Sequence, residues 1–419
     1  MGFGLKNSFF IFILVTCLSG CLKDELAKGL RVDISKPIVN SFDSVQIELP
    51  KQIKRQSWGG PVSKTLLGSD NYFLRDQIER NWVVNTSLAE IIGSPVIHDN
   101  KIFVFGANGQ VKCINLLDRT TVWNISIHQI NTNKKRIIGG GLSFDYAGNL
   151  YVTTSLGELL SVSIESGLIN WRYNTDAPII DKPTVIKDNI IMTDTSGVSR
   201  SVSSKGKLNW VVAGLSGDYI RSKIGKPVAF GELVLLPSAG GVLNAVNSQD
   251  GVKVWSFSYS SQRFGYAQNA FGVFNGDPSV FEEKIYYGSA SGQFNALDKS
   301  GKSLWQADVG LQGSPLLVSD SIFFISDRNE LVRLDKNSGN IIWLRKLITK
   351  KTPEHFYTPI LAGSKLWITG GDSNLRSFDL ETGALQELIY INSNSIGTPI
   401  YYSGSIIVYT RSGKLLSFK

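Results

Sequence analysis

FNALDKSGKSLW, residues 294–305, sets an apolar strand end (Phe294–Leu297) before an acidic residue, a Ser-Gly turn and a strand that carries tryptophan. The phrase recurs along the chain. Gly167, Gly206, Gly251, Gly301 and Gly339 each stand four residues before a tryptophan, and Arg119 takes that place before Trp123. The strand-end residue is Asp298, Asp335 or Asp379 in three copies, and Asn115, Ser163, Ser203 or Asn247 in others. Such short polar side chains bond nearby backbone N–H groups and hold a turn. Glycine relieves the turn, and tryptophan fills an apolar wedge while its N–H finds an acceptor. One mechanical reading covers every copy. A catalytic motif would need one copy to stand out, and none does.

A longer unit surrounds this phrase from about residue 82 onward. Trp123, Trp171, Trp210, Trp255, Trp305 and Trp343 are separated by 48, 39, 45, 50 and 38 residues. Units open at Pro95, Pro183, Pro227, Pro278, Pro315, Pro359 and Pro399, and one, near Gly140-Gly141-Leu142, lacks its proline. Inside each unit a hairpin is expected at Gly109, Gly157, Gly197, Gly241, Gly292, Asn329, Asn374 and Gly413, residue types that accept a positive φ. The residues after each turn alternate as half-buried strands do, and nothing reads as a long amphipathic helix. An all-strand period of this size means propeller blades. Eight turns predict an eight-bladed β-propeller.

The ring must close, because an open edge strand invites aggregation. The last repeat stops at Lys419 without a tryptophan strand, and Glu79–Val84 carries one, with Trp82. This N-terminal strand is expected to join the last blade. In the seventh repeat Glu387 stands where tryptophan belongs, a departure expected to loosen packing there.

The N-terminus is set aside first. Lys6 precedes an apolar run from Phe9 to Val15, too short to span a bilayer, and Leu18-Ser19-Gly20-Cys21 follows. This resembles a bacterial lipoprotein signal, with Cys21 as the lipidated residue. Leu22 lacks the Asp that in such lipoproteins marks inner-membrane retention, so the resemblance implies the outer membrane. The expected division is a signal over 1–20, a lipidated N-terminus and tether over 21–52, and a propeller over 53–419. Only Cys113 then remains as a thiol, so no intramolecular disulfide forms in the mature chain. Its alternating strand context makes it a small core residue.

The net charge is +8, of which +3 falls in residues 1–57, with no dense basic run and no nucleic-acid motif. The excess suits a solvated surface beside an anionic leaflet. Ala296–Ser303 nearly matches a phosphate loop but precedes a tryptophan strand rather than a helix. His98, His128 and His355 are isolated from metal-ligand spacing, Glu282-Glu283 sits at a hairpin turn, and no Gly-x-Ser-x-Gly elbow occurs. No catalytic residue, metal or cofactor is expected.

The repeats resemble the PQQ-type eight-bladed propeller family. Its quinoprotein dehydrogenases bind calcium through acidic and amide residues, use a catalytic Asp, and often carry an adjacent Cys pair, which this chain lacks. A lipidated PQQ-dependent dehydrogenase-like enzyme or sensor is the alternative reading. The lipobox with a lone propeller resembles instead the BamB-like lipoproteins of the outer-membrane β-barrel assembly machinery. That resemblance implies a non-enzymatic scaffold, anchored by lipid and facing the periplasm, that docks on a POTRA domain of a BamA-like insertase beside other assembly subunits, with unfolded outer membrane proteins as clients. It places the contact on two neighbouring loops, here GLSGDYIRSKIGKP (214–227) and SSQRFGYAQNAFGVFNGDP (260–278). Ile220-Arg221 matches the family's apolar-then-Arg pattern with a one-residue shift. Asn275 and Asp277 lie near the acidic places of the second loop, with only one carboxylate. Arg263, Phe271 and Phe274 are of the types favoured as interface anchors.

Overall fold

The spacing of the tryptophans is explained by one repeated strand register. Trp123 lies opposite Cys113, Trp171 opposite Ser161, Trp210 opposite Ser201, Trp255 opposite Ala245, Trp305 opposite Ala296 and Trp343 opposite Arg333. A β-bulge follows at the same step each time, which turns the hairpin so that the indole leaves its own sheet. Trp82 occupies that register opposite Ser417, and Glu387 opposite Ser377.

The computed structural model describes residues 31–33, 46–61, 70–128, 136–214, 225–238, 242–258, 276–289, 292–347 and 355–419. Among these the regular elements are all strands, grouped into eight antiparallel sheets of four, two of them extended by N-terminal strands. Sheets 1 to 7 follow the chain over 96–126, 140–174, 184–213, 228–258, 279–307, 311–346 and 360–390. Sheet 8 consists of Ile400–Tyr402, Ser405–Tyr409 and Lys414–Phe418, and its fourth strand is Arg80–Asn85. The fold is a β-propeller whose last sheet joins strands from opposite ends of the sequence.

Apolar clusters fill the seams between consecutive sheets. The cluster of Ile97, Ile102 and Ile114 with Ile400, Ile407 and Leu415 joins sheet 8 to sheet 1. First strands line the axis, where Thr184 Oγ1 donates to the carbonyl of Pro227 (2.6 Å) and Ser279 Oγ to that of Pro315 (2.9 Å). A proline suits the start of such a strand because no ladder N–H is required there. Fourth strands form the rim, with the alternating exposure of half-solvated edges.

Each indole crosses to the next sheet. Its Nε1–H donates to a backbone carbonyl there: Trp123 to Ile164 (3.0 Å), Trp171 to Ser204 (2.9 Å), Trp210 to Ser248 (3.1 Å), Trp255 to Lys299 (3.0 Å), Trp305 to Lys336 (3.0 Å) and Trp343 to Leu380 (3.2 Å). The ring plane lies over the turn glycine. A Cβ at Gly301, where φ is +82°, would come 2.5 Å from the Trp255 ring. Arg119, without a preceding seam tryptophan other than Trp82, holds a positive φ of 67° in the same place.

Two expectations need correcting. In sheet 7 the left-handed turn residue is Ser373 (φ +64°), while Asn374 opens the next strand and donates to Asp372. Glu387 does not mark a loose seam. Indoles dock on the turn between a sheet's third and fourth strands, and no turn joins those strands in sheet 8. Glu79 and Lys419 pair there instead through backbone bonds of 2.9 and 3.3 Å. Lys365 fills the place, donating to Glu387 Oε1 (2.8 Å) and to the carbonyl of Asp76 (2.6 Å).

Candidate docking face and the plugged channel

Among the described residues, the inter-sheet loops begin at one face of the ring. After the fourth strands of sheets 1, 2, 3, 6 and 7, a backbone N–H donates to the mid-sheet hairpin: Ile127 to Gly109, Thr175 to Gly157, Gly214 to Gly197, Leu347 to Asn329 and Ile391 to Ser373. The described ends of the loops 214–227 and 260–278, residues 225–227 and 276–278, lie next to each other before sheets 4 and 5.

Their stems are joined by one carboxylate. Asp277 Oδ1 accepts the backbone N–H of Lys226 (3.0 Å), and Oδ2 accepts Lys226 Nζ (2.7 Å) and Ser314 Oγ (2.7 Å). The Asp277 N–H donates to the carbonyl of Gly313. Asp277 is 7% exposed, so its carboxylate is engaged inside the ring and is not offered to a partner. The family resemblance placed it in the docking set, near the acidic positions of the second loop, and side-chain direction is not legible in a sequence. Ile220, Arg221, Arg263, Phe271, Phe274 and Asn275 lie outside the described residues, as do Cys21 and Gly241.

A second feature was missed by the repeat pattern. Residues 52–61 and 70–73, expected as the last of the tether and the first of the ring, run inside the channel. Gln52–Ile53 pairs in parallel with Asn71–Tyr72, which continues onto the first strand of sheet 7 at Ala362. Trp58 and Ile97 exchange two backbone bonds of 2.8 Å with sheet 1. Ser403 N–H donates to the Arg55 carbonyl (2.9 Å), and Ser143 Oγ to that of Gly59 (3.3 Å). Tyr72 stacks on Tyr401 with centroids 4.5 Å apart. Arg55 pairs with Asp70 at 3.1 Å, and burial outweighs that cation in raising the Asp70 carboxyl above its usual range. The signal for this plug was present as Trp58-Gly59-Gly60 and Tyr72, apolar and small residues outside the repeat register. What remains of the channel is a cavity of about 210 Å³ bounded by Arg55, Trp58, Tyr146, Lys182, Thr184 and Val228.

The histidines do not converge. His98 packs between Phe144 and Tyr146, and His128 lies against the Gly109 hairpin. Among the described residues no three His, Cys, Asp or Glu side chains form a metal-ligand group. Among the described residues the cavity lining carries Arg55, Lys182 and Lys226 and no carboxylate, a donor set that does not fit a calcium–quinone cofactor. Cys113 is buried opposite Trp123, and burial, opposed by the Lys101 cation, pushes its thiol up to about 12. The native protein is accordingly expected to resist a disulfide exchange reagent at pH 8, where the reactive thiolate is scarce. Unfolding in denaturant should expose the Cys113 thiol to the reagent, and rapid native labelling of Cys113 would contradict this placement.

A tryptophan-seamed ring, closed by an N-terminal strand and plugged on its axis, defines a PQQ-like propeller without a cofactor constellation among the described residues. A family model described as "Outer membrane protein assembly factor BamB" matches residues 107–345 and 290–419. The relative of that name in Moranella endobia is 23% identical over 332 residues, covering 77% of this chain and 83% of its own. The Escherichia coli K12 relative is 19% identical over 398 residues, covering 87% and 99%. The crystal structure of BamB from Moraxella catarrhalis superposes with a TM-score of 0.70 at 15% identity, covering 82% of this chain and all of that one. The chain belongs to the family of the outer membrane protein assembly factor BamB.

Proposed function

We propose that this protein is a non-enzymatic scaffold of the outer-membrane β-barrel assembly machinery, lipid-anchored through Cys21 and facing the periplasm. The observation that carries this reading is the family match over 107–419. Eight sheets and eight apolar seams support an eight-bladed ring, a rigid body that presents loops. The docking face is formed by loops 214–227 and 260–278, whose stems Asp277 clamps together. Their partner is a periplasmic POTRA domain of a BamA-like insertase. Ile220 and Arg221 supply an apolar anchor and a fork of donors, and Arg263, Phe271, Phe274 and Asn275 extend the surface. The ring thereby holds the insertase's periplasmic domains in position while unfolded barrel proteins arrive. The division of labour follows the chain: a signal over 1–20, a lipidated N-terminus and tether over 21–52, and the propeller over 53–419.

Affinity capture from detergent-solubilised outer membranes should recover the insertase, and failure to recover it would overturn the reading. Arg221→Glu should reduce that recovery at least tenfold, since reversing an interface Arg costs more than the ~1.4 kcal/mol that a factor of ten represents. The denaturation midpoint should stay unchanged. Undiminished capture would remove Arg221 from the contact.

A further inference from the structure

Three stretches before the first full sheet touch the ring at successive points. Arg31–Asp33 adds in parallel to the rim of sheet 6, with Arg31 opposite Leu344 and Asp33 opposite Lys346. Ile47 and Leu49 pack into the apolar seam between sheets 6 and 7, and the Ile47 N–H lies 3.5 Å from Glu381 Oε1. Gln52–Ile53 then enters the channel beside sheet 7. All three points fall on one side of the ring.

Arg31 follows Cys21 by ten residues, and ten extended residues reach at most about 36 Å. A lipid on Cys21 cannot therefore let the ring tumble at the end of a tether of some thirty residues. The rim of sheet 6 stays within that reach of a lipid on Cys21, and sheet 2 lies four sheets away around the ring. The rim of the adjoining sheet 7 carries Leu388 and Tyr390, 58% and 67% exposed. Tyr390 is the one strongly exposed aromatic on a fourth strand among the described residues. An aromatic with an apolar body and a polar tip is at home in the headgroup layer.

We propose that the N-terminal strap fixes the ring edge-on to the membrane, with the rims of sheets 6 and 7 forming a lipid-facing surface. This rests on the lipid anchor at Cys21. The loops flanking sheet 4 then project along the ring axis, parallel to the lipid surface, where a periplasmic domain beside the ring is reached. The strap acts by strand pairing and apolar packing, so it sets orientation without needing a charged patch.

The test uses the full lipidated protein on vesicles of phosphatidylethanolamine and phosphatidylglycerol. A single cysteine is placed at Asn337, in the outer turn of sheet 6, or at Glu165, the corresponding turn of sheet 2; both are exposed. Each carries a donor fluorophore, with acceptors in the lipid headgroups, and Cys113 is buried and does not compete. Transfer should be several-fold higher from position 337. Val32→Pro removes a backbone N–H from the strap's first strand, and combined with Ile47→Asp should bring the two positions to similar transfer while the protein still floats with vesicles. Equal transfer in the unmutated protein, or higher transfer from 165, would overturn the orientation. Loss of flotation by the unmutated protein would overturn the anchor itself, and that is read separately.

Discussion

Replacing Trp343 with alanine is expected to lower stability by about 3–5 kcal/mol, the range for removing a fully buried tryptophan. Trp343 is 1% exposed and packs on Phe323 at a centroid distance of 5.9 Å. Its N–H satisfies the Leu380 carbonyl of sheet 7, which would lose that donor at the seam. The same change at Trp255, which is only partly buried and bonds Lys299 near the surface, should cost roughly half as much, because less apolar area leaves water there. Equilibrium denaturation of the two variants side by side checks this. Equal losses would mean that the indoles work through their common hydrogen bond and not through packing.

Asp277→Ala should cost a similar ~3–5 kcal/mol, by a different mechanism. The substitution leaves the Lys226 ammonium, 18% exposed, without its counter-charge and leaves Ser314 Oγ without its acceptor. Asp277→Asn keeps an acceptor for the Lys226 N–H but loses the charge, so its loss should be smaller. Hydrogen exchange should speed up at the amides of Gly225, Lys226 and Gly276 and of residue 277 in the alanine variant, and the loops on either side of sheet 4 should lose their common stem. Insertase capture should fall with it although Asp277 touches no partner. Unchanged exchange at both stems would show that the clamp is not what holds the loops together.

These two residues differ in how far the order of amino acids reveals their roles. Trp343 is legible because the repeat states its role six times, and each copy shows the same turn and a similar spacing. Asp277 occurs once. Its place near the acidic positions of the family's second loop implies docking, and only its contacts with two neighbouring sheets reveal a clamp. Glu387 shows the same limit. As a break in the pattern it reads as a weak seam. The fold places it where no turn exists to receive an indole, so Lys365 and the carbonyl of Asp76 close the gap. The one-residue slip from Asn374 to Ser373 has a local cause, since both residues accept a left-handed backbone and only the register chooses between them.

The propeller class, the seam tryptophans and the pairing of Arg80–Asn85 with the last strand were determined by the sequence alone. Each rests on local patterning that repeats, and repetition averages away the ambiguity of any single copy. The plug formed by residues 52–61 and 70–73, the strap on sheet 6 and the inward turn of Asp277 were decided only by tertiary structure. Those segments carry no periodicity of their own. Their conformation is set by unpaired strand edges and apolar seams that exist only once the ring has closed.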